Sequence, residues 1–165
     1  MSGTRGGFPG EKRTDRLIHE HIHDPYRNRK KLKEPACCSQ CAAILENGRW
    51  HWGDRPEGAN EELCPACRRI NDRCPAGKLN LSGDFLKEHR DEVIGLAQRE
   101  ERKEKGEHPL HRIINIEEGN TRVEITTTDI HLPRRIGGAL HKAYGGDLDF
   151  HYKEETYFIR VNWKR

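Results

Sequence analysis

Four of the six cysteines in this 165-residue chain occur as two pairs with the same internal spacing. The first pair is Cys38-Ser-Gln-Cys41, and the second is Cys64-Pro-Ala-Cys67. Two thiolates with two residues between them can bind one metal ion, and a second pair completes a tetrahedral shell with Zn–S distances of roughly 2.3 Å. We therefore predict one structural zinc ion bound by Cys38, Cys41, Cys64 and Cys67. Because such a shell has no open position for water or substrate, we expect the metal to stabilise the fold without taking part in catalysis.

The other two cysteines, Cys37 and Cys74, leave an alternative open. A disulfide framework would require an oxidising compartment, and the N-terminus leads into charged sequence without an apolar signal core. Cys37 is adjacent to Cys38 and could compete for the metal, whereas Cys74 lies at the wrong distance for a third pair. We predict that neither cysteine is a metal ligand. The alternative is a redox switch in which an additional thiol displaces a ligand.

The composition argues against several classes of protein. With 33% hydrophobic and 35% charged residues, the chain has few apolar side chains for one large core, and two small domains suit it better. No apolar run approaches the roughly 20 residues that a membrane helix requires, so we expect a cytoplasmic protein with no membrane partner. The sequence contains neither a glycine-rich phosphate loop nor a nucleophile motif. It therefore predicts a protein that is not an enzyme and has no small-molecule substrate.

Most of the excess positive charge lies near the N-terminus. Residues 1–36 carry nine Lys/Arg and five Asp/Glu, whereas the whole chain carries 30 and 27. We predict that residues 1–34 form a basic, flexible arm, and such an arm can bind a phosphate backbone through the release of counterions. The alternative is a solvated leader without a partner. The candidate RNA-binding residues of this arm are Arg27, Arg29, Lys30, Lys31 and Lys33.

Two arginines directly after the second cysteine pair are further candidates for RNA binding. Arg68 and Arg69 follow the predicted ligand Cys67, so an element fixed by the metal would hold their side chains at defined positions. Trp50 and Trp52 could stack on bases, but the favoured interpretation is that one of them covers the metal site.

The elements that must position these residues divide the chain at Pro75-Ala76-Gly77. Residues 35–76 are predicted to form a small four-cysteine zinc-ribbon module. In residues 77–165, hydrophobic periodicity predicts a strand, a helix, two strands, a second helix capped by Asp129, and two more strands. This order predicts an α+β fold, an open α/β sandwich with two helices on one sheet face, close to a ferredoxin-like arrangement.

From about residue 35 to the end, the chain resembles a small family of bacterial four-cysteine zinc-ribbon proteins. The motifs that carry the resemblance are the two cysteine pairs, Gly48-Arg-Trp-His-Trp-Gly53, Pro75-Ala-Gly77, Glu107-His-Pro-Leu110 and Thr126-Thr-Thr-Asp129. That family is distantly similar to the N-terminal part of the NMD-three type adaptor, which binds the large ribosomal subunit and supports its export. In that adaptor, cysteine-knuckle zinc modules precede a small α/β domain. The resemblance implies binding to the ribosome or ribosomal RNA, but the adaptor's later domains and additional zinc module have no counterpart here.

Together these observations predict a zinc protein that associates with the ribosome or a structured RNA, in assembly, quality control or dormancy. A zinc-dependent adaptor with a protein partner, or a DNA-binding transcriptional regulator, is the alternative, because zinc ribbons bind proteins and DNA as well as RNA. DNA recognition would favour an exposed helix rich in Arg, Asn and Gln, whereas the first helix predicted in residues 77–165 is slightly acidic.

Overall fold

The structure is a computed structural model that describes residues 24–26 and 31–165. In these residues it contains two β-sheets and three α-helices, which confirms the mixed α+β class predicted from the sequence. Most of the predicted N-terminal arm, including Arg27, Arg29 and Lys30, lies outside the described residues.

A small four-stranded sheet contains the first cysteine pair. Its strands are β1 (Ala36–Cys38), β2 (Ile44–Glu46), β3 (Arg49–His51) and β4 (Asn60–Glu62), and they lie in the order β3-β2-β1-β4. The pairs β1–β2 and β2–β3 are antiparallel, whereas β1 and β4 are parallel. Helix α1 (Pro65–Asp72) follows β4. We call residues 36–74 the small-sheet module; its assignment as a zinc ribbon stays a prediction.

Helix α1 begins at the second cysteine pair, and the sequence analysis did not predict it. Cys64 has extended backbone angles at the N-cap, and its Sγ accepts a hydrogen bond from the backbone N–H of Cys67. Pro65 occupies the first helical position, where its missing N–H costs no helical hydrogen bond. The helix ends at Arg73, which has left-handed backbone angles. The same residue, Cys64, therefore caps the helix and contributes a thiol to the predicted metal site.

The second sheet has five strands and carries the other two helices. The strands are β5 (Gly77–Ser82), β6 (Ile113–Glu118), β7 (Arg122–Thr127), β8 (Asp147–Lys153) and β9 (Phe158–Lys164). Helix α2 (Asp84–Glu107) follows β5, and helix α3 (Leu132–Tyr144) follows β7. This order of strands and helices is the one predicted from the sequence. We call residues 76–165 the large-sheet module.

The pairing of the strands differs from what a ferredoxin-like sheet requires. The strand order is β6-β7-β5-β9-β8. β5 pairs antiparallel with β7 and parallel with β9, and β8 pairs antiparallel with β9 at the edge. The final hairpin thus places its second strand next to β5, which introduces a parallel pair. The ferredoxin-like arrangement is therefore not confirmed.

One face of the large sheet is apolar because alternate residues of its central strands point to the same side. Leu79 of β5 lies in register between Ile125 of β7 and Val161 of β9, and all three are buried. Helices α2 and α3 pack against each other and over this face. Helix α3 comes close to the sheet at Gly137, where a Cβ atom would lie 2.9 Å from a side-chain carbon of Val161. None of the helices in the described residues is long and apolar enough to cross a membrane.

The buried apolar residues form two clusters, one in each module. The cluster of the small-sheet module contains Cys38, Cys64 and Cys67 together with Trp50. Leu110, which belongs to the large-sheet module, also packs against this cluster. The two modules are therefore in contact at the predicted metal site.

Candidate metal centre

The structure brings the four predicted ligands into one compact group. Cys38 ends β1, Cys41 lies in the turn before β2, and Cys64 and Cys67 lie at the start of α1. Their four Sγ atoms lie within 4.8 Å of one another. The Cys41 and Cys64 Sγ atoms are 3.7 Å apart, close to the edge of roughly 3.8 Å of a tetrahedron with metal–sulfur bonds of about 2.3 Å. The four thiols could therefore hold one metal ion.

The remaining two cysteines lie outside this group. Cys37 is buried, and its Sγ lies 3.9 Å from the backbone oxygen of Cys38. Cys74 is exposed at the end of α1, and all six cysteines are free thiols. In the part of the chain that the structure describes, the four-cysteine group is the only one of its kind. That Cys37 and Cys74 are not ligands stays a prediction.

Backbone N–H groups donate hydrogen bonds to sulfur atoms of the group. The N–H of Cys64 donates to Cys38 Sγ at 3.3 Å, and the N–H of Cys67 donates to Cys64 Sγ at 3.4 Å. Hydrogen bonds from backbone amides favour the thiolate form of a cysteine, and the positive end of a helix acts in the same direction. The local fold therefore supplies the donors that a group of thiolates requires.

Arg112 is a member of the site that the sequence analysis missed. It lies just before β6, is 7% exposed, and its Nη2 donates to Cys64 Sγ at 3.3 Å and to Cys67 Sγ at 3.1 Å. Burial acts to lower the pKa of Arg112, but the hydrogen bond to Cys67 and the charges of the neighbouring sulfurs raise it. The guanidinium is therefore a permanent positive charge beside two of the predicted ligands.

The thiols influence one another because they are so close. A hydrogen bond from the Cys64 thiol lowers the pKa of Cys41 to about 4 and raises the pKa of Cys64. Burial raises the pKa of Cys67, which the hydrogen bond from Arg112 opposes. A metal that binds to the group must therefore displace the proton of Cys64.

Trp50 of β3 and Trp52, which directly follows this strand, both pack at the apolar cluster of the small-sheet module. Trp50 is 8% exposed and belongs to the apolar cluster around the cysteines. Trp52 packs against the same cluster, and its Nε1 donates to the backbone oxygen of Lys105 at 2.6 Å. Both placements agree with the interpretation that a tryptophan covers the metal site.

The predicted RNA-binding arginines of α1 lie in different environments. Arg69 is 3% exposed; its Nη1 donates to Cys74 O at 2.9 Å, and its Nη2 pairs with Asp24 Oδ1 at 2.7 Å. The ring centre of Tyr26 lies 4.2 Å from its Cζ atom. An RNA phosphate could reach Arg69 only if these contacts broke. Arg68 is half-buried, and its Nε donates to the backbone oxygen of Leu63 at 3.1 Å.

Of the five predicted RNA-binding residues in the arm, Lys31 and Lys33 lie within the described residues. Both are exposed immediately before β1. The backbone oxygen of Lys33 accepts a hydrogen bond of 3.4 Å from Asn60 Nδ2 at the start of β4. These two lysines therefore lie on the surface of the small-sheet module.

Comparison of the chain with models of protein families, with curated proteins and with solved structures found no match. The resemblance to zinc-ribbon proteins and to the ribosomal adaptor therefore stays a prediction, and the site must be interpreted from its own geometry.

Proposed function

We propose that the protein is a cytoplasmic, non-enzymatic zinc protein that binds the ribosome or another structured RNA. The observation that supports this proposal is the compact four-cysteine group, in which three cysteines are buried and all four Sγ atoms lie within 4.8 Å of one another. Four thiolates favour Zn²⁺ and fill its coordination shell, which leaves no position for a substrate. Zinc would cross-link β1 and the start of α1, and would supply folding free energy to a small module. A surface next to this rigid centre can then present charged side chains at fixed positions.

The residues that would contact RNA are cations on the surface of the small-sheet module. Lys31 and Lys33 are exposed, and Arg68 is held by its hydrogen bond to Leu63 O while remaining half-exposed. Arg27, Arg29 and Lys30 precede them in the sequence and extend the run of positive charge. We leave Arg69 out of this set because its guanidinium is buried. Contacts from such side chains to phosphates release counterions, so binding should weaken as salt increases.

The proposal is tested by co-sedimentation of the zinc-loaded protein with ribosomes and with separated subunits over a series of salt concentrations. The double variant Lys31→Gln/Lys33→Gln is measured alongside. Each lost phosphate contact should lower the slope of log affinity against log salt by about 1. The slope measured for the double variant should therefore be smaller by about 2. Its affinity should be lower at every salt concentration.

The matched control is Lys103→Gln/Lys142→Gln, which removes the same charge from exposed lysines on α2 and α3. It should bind as the original protein does. Equal losses in both double variants would indicate a nonspecific charge effect. Free migration of the original protein at low salt would contradict the ribosome proposal and would favour a protein adaptor or a DNA-binding regulator.

A further inference from the structure

A side chain of the large-sheet module, that of Arg112, contacts the candidate metal centre directly. Arg112 lies 45 residues after Cys67 in the sequence, yet its guanidinium donates to Cys67 Sγ at 3.1 Å and to Cys64 Sγ at 3.3 Å. Two residues earlier, Leu110 packs against the apolar cluster that contains both of these cysteines. The candidate metal site is thus covered on this side by a segment from outside the small-sheet module.

Hydrogen bonds to Thr128 of the large-sheet module fix the backbone of this segment. The backbone N–H of Arg112 donates to Thr128 Oγ1 at 2.9 Å, and the N–H of Thr128 donates to Arg112 O at 2.9 Å. The hydroxyl of Thr128 also donates to Leu110 O at 2.6 Å. Thr128 directly follows β7, so the position of the Arg112 side chain is set by the large-sheet module.

The charge of the metal centre explains why an arginine should occupy this position. A divalent ion with four thiolates carries a net charge of −2, and a buried charge is stable only when it is paired. The guanidinium hydrogen bonds that the structure shows go to the two sulfurs, and Arg112 Nε is buried without a partner. Negatively charged sulfurs therefore stabilise the buried guanidinium of Arg112, and the guanidinium stabilises the negative charge of the sulfurs.

We propose that Arg112 is a positioning residue of the metal centre and that it links metal binding to the docking of the large-sheet module. This inference rests on the proposed binding of zinc. Metal-bound cysteines are thiolates, so the metal creates the charge that holds Arg112 in place. The docked guanidinium in turn orients Cys64 and Cys67 and partly neutralises the net negative charge of the metal–thiolate complex. Because linkage is reciprocal, docking and metal binding must strengthen each other by the same factor.

The first test measures zinc affinity by competition with a chromogenic chelator for the full chain and for Arg112→Gln. The loss of a group that orients a metal ligand should weaken zinc binding about 10- to 100-fold. Arg112→Lys keeps the charge and should recover part of that loss, which a purely packing role would not allow. The control Arg160→Gln removes an exposed arginine of β9 and should leave the affinity unchanged. Cobalt-loaded protein gives a second signature, since the thiolate-to-metal charge-transfer band should shift in Arg112→Gln.

The second test follows hydrogen exchange of the original protein before and after a chelator removes the metal. Amides in residues 105–112 and the amide of Thr128 should exchange faster, whereas those of β5 and β9 should stay protected. Unchanged exchange in 105–112 after release of one zinc ion, or equal zinc affinity of Arg112→Gln and the original protein, would overturn the proposed link. If the original protein binds no zinc, the proposed metal function fails first. If Arg112→Gln loses protection in β5 and β9, Arg112→Lys replaces it in the comparison.

Discussion

The indole N–H of Trp52 donates a hydrogen bond of 2.6 Å to the backbone oxygen of Lys105. Lys105 lies in the last turn of α2, where backbone carbonyls have no partner within the helix. Trp52 follows β3 and packs against the apolar cluster around the cysteines. One side chain therefore satisfies a carbonyl at the helix end and joins the small-sheet module to the large-sheet module, at a position independent of Arg112.

We expect Trp52→Phe to destabilise the protein without displacing the metal. Phenylalanine keeps an aromatic ring in the apolar cluster but cannot donate to Lys105 O, and the loss of one such bond costs about 0.5–1.5 kcal/mol. The free energy of unfolding in urea measures this change, and the zinc content measures the metal. An unchanged unfolding free energy would show that the hydrogen bond does not stabilise the contact between the modules.

Replacing one ligand tests whether the four cysteines form a metal site. Cys64→Ser should lose the metal and unfold the small-sheet module, because site formation and folding are one equilibrium in small metal-bound modules. The control is Cys74→Ser, which makes the same chemical change at an exposed cysteine outside the group. Metal content by mass spectrometry and thermal unfolding are measured for both. Retention of metal and of thermal stability in Cys64→Ser would show that the zinc assignment is wrong.

The ligands could be predicted from the sequence because their signal is local. Two residues between paired cysteines suffice to place both thiols on one metal, whatever the rest of the fold. Arg112 gave no such signal, since it precedes the apolar residues of β6 and reads as the start of a strand. Its role depends on a contact with Cys67 that spans 45 residues of sequence, and burial of a charged side chain is a tertiary property.

The difference between local sequence signals and tertiary contacts also explains which features of the large-sheet module could be predicted. Hydrophobic periodicity reports which face of a strand is buried, so the order of strands and helices from β5 to β9 could be predicted. It does not report which strand lies beside which, and the parallel pair of β5 and β9 was therefore missed. Helix α1 was also missed, although Cys64 and Pro65 form a cap and first position that could have indicated it.

The stability of the large-sheet module should depend on pH through Glu104. This carboxylate is 5% exposed, accepts a hydrogen bond from His111 Nδ1 at 3.0 Å, and forms an ion pair with Arg135, whose Nε lies 2.9 Å from Glu104 Oε2. The hydrogen bond from His111 and the charge of Arg135 lower the pKa of Glu104 despite its burial. Because the folded pKa lies below the unfolded value of about 4.3, the stabilisation is present above that pH and is lost as the pH falls through the folded pKa.

Glu104→Gln should therefore lose about 1–3 kcal/mol of stability at pH 7. The difference from the original protein should shrink as the pH is lowered below about 4. Glu92→Gln is the matched control, because Glu92 lies on the same helix and contacts His89 at 3.1 Å, but its side chain is 60% exposed. That exposed pair should contribute less than about 1 kcal/mol. A difference between Glu104→Gln and the original protein that stays constant from pH 7 to pH 3 would contradict the role of the ionised carboxylate.

Arg68 and Arg69 are adjacent in the sequence, and the structure predicts opposite consequences for their replacement. Arg69→Gln breaks the buried contact with Asp24 and should destabilise the protein by about 3 kcal/mol. When RNA affinity is calculated per folded molecule, Arg69→Gln should bind as tightly as the original protein. Arg68→Gln should change stability by less than about 1 kcal/mol while lowering ribosome affinity and the salt slope by about 1. Urea unfolding and the salt series, applied to both variants, separate the two roles. Equal losses of ribosome affinity per folded molecule would mean that Arg69 leaves its pocket to bind RNA.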